Sequence, residues 1–275
     1  MGDAYLKTTA KSETARARFT LGLLCLHSFM YDHAVEFFEK AQSDELLFSG
    51  RQYPMANWGA AMSTKMMLWQ ASNCAKGKKY LKSISDDLNW LSELEREFIK
   101  TGFALYPKSK ECKDDTEYDR EKRFANAMEK IMRHFPDEIE AKLFYGVSKA
   151  ATLSHGECSK GALARTNCKT DLENVRKLLN EIEEKHPTHP GAIHYIIHMY
   201  DTPDVFIEGN NKFIHDMVAP EDQKDHKAIA AIKAANNYLK VATSSCHGLH
   251  MSAHIFMRLG SWKMSLKSNM MSIQV

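Results

Sequence analysis

The sequence predicts an all-α fold, on three observations. Apolar residues recur at spacings of three and four through most of the chain, the period of an amphipathic helix. Only 13 Gly and 7 Pro interrupt 275 residues. Pro54, Pro107, Pro136, Pro187 and Pro190 fall between the periodic segments or at their starts, where a missing amide proton costs nothing. No segment shows a convincing strand pattern, so no significant sheet is expected.

The clearest window is Arg18 to Gln42. Leu21, Gly22 and Cys25, then Tyr31, Ala34, Phe37, Phe38 and Ala41, trace two helices joined near Ser28 to Tyr31. Further helices are expected over Met55 to Trp69, Lys78 to Ile84, Asn89 to Phe103, Asp119 to Arg133 and Asp137 to Leu153. The series continues over Lys169 to Lys185, Pro190 to Tyr200, Lys227 to Ala242, Gly248 to Leu259 and Trp262 to Met271. Two loops break the pattern. Lys108 to Thr116 is short and charged, while the irregular insertion at 202–226 is long and polar and carries Gly209 and Pro220. Lying between two histidine-bearing helices, that insertion is placed to act as a lid.

Paired in order, the helices form hairpins of about 34 residues, the period of a tetratricopeptide repeat. Arg18 to Ala41 fits that template, and so does the last hairpin, with Ala253, Phe256, Gly260 and Trp262 in register. The middle repeats are degenerate. The expectation is a single helical-repeat domain over 1–275, a TPR-like α–α superhelix. The final hairpin shows no polar capping helix after it, which points to a covering partner, to self-association, or to a shortened form of a longer array.

Composition narrows the function. Charged residues are 26% of the chain, but 37 basic residues nearly cancel 35 acidic ones, so there is no basic stripe for nucleic acid or an anionic membrane. The longest apolar runs, such as Phe19 to Leu26, fall well short of the roughly 20 residues that a membrane span needs. The N-terminus lacks a signal-peptide core, and Leu6 stands where a myristoylation signal would have Ser or Thr. These readings place the chain in the cytoplasm. Six cysteines without a CxxC pair are expected as reduced thiols, with Cys158 and Cys168 able to pair across a loop in an exported protein.

The most pointed chemical feature is a pair of HxxxH spacings, His194 to His198 and His250 to His254, each inside a predicted helix. Residues four apart share a helix face, so each pair offers two imidazoles to one ion. His247 adds a fifth candidate three residues before His250. Such a set suits a transition metal (copper, zinc or iron) rather than magnesium or calcium. The competing reading is a structural polar network with no metal. Neither spacing carries the glutamate of HExxH, which removes the zinc-protease base. Asp201 is placed either to orient an imidazole or simply to end its helix. His27 reads as a packing or capping residue, Arg258 as a salt-bridge partner, and Met62, Met66 and Met67 as core filling rather than copper(I) ligands.

The strings HPGAIHYIIHMYDTPD (His189 to Asp204), AANNYLKVA (Ala234 to Ala242) and HGLHMSAHIFMRLGSW (His247 to Trp262) resemble a little-characterised family of tetratricopeptide-repeat proteins with paired HxxxH helices. The likeness extends to Leu26 to Gln42, Asn57 to Trp69 and Phe135 to Ser148, most of the chain in order. It implies a helical repeat fold and no particular reaction. Four features depart from the family pattern: Ala60 replaces a Glu, Met66 replaces a His, the connector after the first HxxxH helix is long, and the family pattern tends to continue with further helices beyond Trp262. The functional expectation is a histidine-rich pocket for a transition metal or small ligand, with no catalytic residue assigned. The alternative is a metal-free protein-interaction scaffold.

Overall fold

The computed structural model describes residues 1–4, 6–156, 158, 162–201 and 230–275. Twelve helices account for most of these residues, which bears out the all-α expectation. The insertion at 202–226, and the start of the helix expected from Lys227, lie outside the described residues. Among the described residues no helix is long and apolar enough to cross a membrane.

The chain divides into two compact units, one of residues 4–159 and one of residues 1–3 with 160–275. In the first, α1 (Glu13–His27) and α2 (Tyr31–Ser49) form a hairpin, followed by α3 (Pro54–Met62), α4 (Cys74–Lys82), α5 (Glu93–Leu105), α6 (Glu117–His134) and α7 (Ile139–His155). Consecutive packing runs from α1 to α4, α5 lies against α3 and α6, and α6 pairs with α7. Phe19, Phe38, Trp58, Phe98 and Phe124 fill the core, all nearly inaccessible to water. Trp58 meets Phe98 and Phe144 edge-on, at centroid distances of 5.2 and 5.4 Å.

Local chemistry sets the helix ends. Ser92 and Glu95 make a reciprocal capping box that starts α5, and Thr116 with Asp119 does the same for α6. The helix expected over Met55 to Trp69 stops at Met62. There Ser63 Oγ donates to Gly59 O at 2.8 Å, alongside Ser63 N, and Ala61 O is taken by Thr64 N and Thr64 Oγ1, at 3.1 and 2.7 Å, where a continuing helix would offer it to Lys65 N. The chain then makes a two-residue antiparallel ladder, Lys65–Met66 with Ala71–Ser72, around a 3₁₀ turn. This small ladder was not anticipated from the sequence.

The reduced-thiol expectation is corrected. Cys74, at the start of α4, and Cys112, in the loop before α6, form a disulfide with Cα atoms 5.9 Å apart. Cys158 and Cys168 are disulfide-bonded as well, while Cys25 and Cys246 are free. The 38-residue spacing of Cys74 and Cys112 gives no local signal, because only the fold brings their Cβ atoms together.

In the second unit α8 (Ala162–Lys185) packs on α9 (Pro190–Tyr200), and α10 (Ile232–Val241) lies against α9 and α11 (Cys246–Arg258). The last helix, α12 (Trp262–Ser272), pairs with α11. The core here is Ile193, Tyr195, Ile197, Ala235, Tyr238, Ile255 and Phe256.

Candidate metal centre

Two helices, α9 and α11, supply the histidines, and each is fixed at both ends. Pro190 opens α9 behind His189, whose Nδ1 accepts from Gly191 N at 3.2 Å. At its far end the buried Arg176 of α8 donates from Nε and Nη2 to Met199 O, at 3.2 and 2.8 Å, and lies 4.8 Å from the Tyr200 ring. Ser245 caps α11, accepting from Gly248 N at 3.0 Å. Most of α9 is buried, His194 included, while His198 is half-buried.

His194 is fully buried and its Nε2 lies 3.1 Å from His198 Nε2. His247 comes from α11, with its ring centroid 5.0 Å from that of His194 and 6.4 Å from that of His198. One nitrogen from each of the three rings lies within 4.8 Å of the other two. Tyr238 of α10 backs the group, 5.3 Å from the His194 ring.

Burial dominates the electrostatics. It pulls the His198 imidazole down to about 3, helped by His247 and His254 and opposed by Asp201. For His247, burial followed by His250 and His254 lowers the value to about 4. Both rings are therefore neutral at physiological pH, the form that binds a metal. The same influences place His250 and His254 in the electrostatic neighbourhood of His247.

His250 and His254 nevertheless form a group of their own. Their Nε2 atoms are 3.0 Å apart, His254 Nδ1 lies 2.8 Å from Asp201 Oδ2, and His250 Nδ1 lies 2.7 Å from Asn269 Oδ1. The structure thus gathers His194, His198 and His247 into an inner triad and leaves His250 and His254 as an outer pair. Asp201 orients an imidazole, that of His254, and Arg258 makes an intramolecular ion pair with Asp201 at 2.6 Å. Asn269 on α12 is a partner that no spacing in the sequence announces.

The remaining candidates lie elsewhere. His27, in the other unit, makes a buried 2.6 Å ion pair with Glu140 and stacks on Phe144, in keeping with a packing role. Met62 and Met67 are buried while Met66 is exposed, and Ala60 is buried in α3. No family model matches this chain, and no curated protein or solved structure matches it either.

Proposed function

We propose that this protein is a TPR-like helical repeat whose inner triad, His194, His198 and His247, holds a transition-metal ion. One observation carries the reading: three ring nitrogens from two different helices converge within 4.8 Å, with the innermost ring, His194, fully buried. A zinc, copper or iron ion suits imidazole donors, and three protein ligands leave coordination positions for water or a small ligand. No reaction is assigned to it. As to setting, the Cys74–Cys112 disulfide weighs towards an oxidising compartment and against the cytoplasm expected from composition.

Elemental analysis of protein purified without a histidine tag tests the site. The expected result is bound transition metal that falls in His198→Ala while the helical circular-dichroism signal stays. Metal below about a tenth of an equivalent, even after reconstitution, would overturn the reading.

A second reading, a protein-interaction scaffold, is supported by α12. Trp262, Leu266 and Met270 recur at intervals of four along it, with Ile273 just past its end, all more than half exposed. Light scattering of the wild type against Leu266→Asp tests self-association through that stripe.

A further inference from the structure

The outer pair can be analysed atom by atom. His250 and His254 sit one turn apart on α11, and the second nitrogen of each ring is already committed: His250 Nδ1 to Asn269 Oδ1, and His254 Nδ1 to Asp201 Oδ2. The Asp201 carboxylate only accepts, so His254 Nδ1 carries the hydrogen. In a neutral imidazole the other nitrogen is then a bare lone pair. His250 Nε2 faces that of His254 at 3.0 Å, a gap that one shared hydrogen or one bound cation fills.

That separation also matches a coordination edge. With metal–nitrogen bonds of about 2.0–2.1 Å, neighbouring donors lie about 2.9 Å apart at a right angle and about 3.4 Å apart in a tetrahedron. The support is of the kind metal-binding histidines have. Asp201, hydrogen-bonded to His254, is itself held by Arg258 at 2.6 Å, so the carboxylate fixes the ring's tautomer and direction. His250 is exposed and His254 is about a third exposed, so water or an incoming ligand can complete the shell.

We propose that His250 and His254 form a second cation site, chelating one borderline transition-metal ion, such as zinc(II), nickel(II) or copper(II), through their Nε2 atoms. The inference uses a donor set separate from that of the inner triad, although Asp201 and the outer rings also act electrostatically on His198 and His247. Asp201 and Asn269 are positioning residues here, acting through the rings they orient.

Zinc titration of the metal-stripped full chain separates the two sites. The wild type is expected to take two zinc ions. His250→Ala and His254→Ala should each remove one, whereas His198→Ala should remove the other and keep the outer one. Asn269→Ala should weaken only the outer site, by about 10–100-fold, as loss of a ligand's orienting partner typically does. Circular dichroism establishes that each variant is folded. If His250→Ala and His254→Ala bind zinc as the wild type does, the pair shares only a proton and the proposal is overturned. Zinc lost with the outer histidines but unaffected by His198→Ala would support the outer site and defeat the inner reading. No zinc bound by the folded wild type would defeat both.

Discussion

Arg258 and Asp201 tie the ends of the two histidine helices together. Arg258 Nε donates to Asp201 Oδ1 at 2.6 Å, a second guanidinium nitrogen reaches the Asp201 carbonyl, and the other carboxylate oxygen engages His254 Nδ1. One side chain at the end of α9 thereby sets both the approach of α11 and the direction of an imidazole on it.

Removing that tie should loosen the second unit. Arg258→Met keeps most of the apolar stem and deletes the charge. Because the two side chains are 26% and 22% exposed, solvent screens the pair, and the expected loss is about 1–2 kcal/mol. Urea denaturation checks this, and an unchanged midpoint would show that the contact contributes nothing.

Acid stability should depend on Glu45. Burial raises its carboxyl, but donors from Ser12 N, Ser49 Oγ and Lys11 N more than reverse that and hold it below the ordinary value of 4.5. A depressed folded pKa means that the unfolded chain takes up the proton first. The stabilisation is therefore complete above about pH 4.5 and is lost as pH falls through the folded value. Glu45→Gln should cost about 1–3 kcal/mol at neutral pH and flatten that acid limb. Thermal melts from pH 7 down to pH 3 would show it.

Reduction should weaken the first unit. Opening Cys74–Cys112 frees a loop of 38 residues in the unfolded chain, at a cost of about 2–4 kcal/mol. Cys74→Ser should show the same loss of melting temperature, with no further loss from that bond when reductant is added.

The hairpin core should reject one methyl group. A Cβ on Gly59 would sit 2.5 Å from the Phe38 ring, and one on Gly22 would sit 2.8 Å from it, so α1 and α3 close on that ring from two sides. Gly59→Ala should destabilise by about 1–3 kcal/mol. Phe38→Leu should relieve part of that loss, and a double-mutant cycle with no coupling would contradict the packing.

How much of this was legible in the sequence follows from the range of each interaction. The α1–α2 hairpin and the meeting of the two rings in each HxxxH pair are local, set by the helical repeat, and they were legible. The end of α3 was not, because Thr64 turns back on the Ala61 carbonyl although the apolar pattern runs on to Trp69. Nor was the split of five histidines into three and two. It depends on Asp201, 53 positions from His254, and on Asn269, 19 positions from His250. The disulfide spans 38 positions with the same result.

The opening residues have a consequence for biosynthesis. Asp3 N donates to Thr188 O at 3.1 Å, Thr188 Oγ1 donates to Asp3 Oδ2 across 185 positions, and Gly2, at a φ of +78°, lies where any Cβ would strike Thr188 O. These residues leave the ribosome long before their binding groove exists. The second unit can close on residues 1–3 only after residues 160–275 have been made, with all of 4–159 synthesised in between.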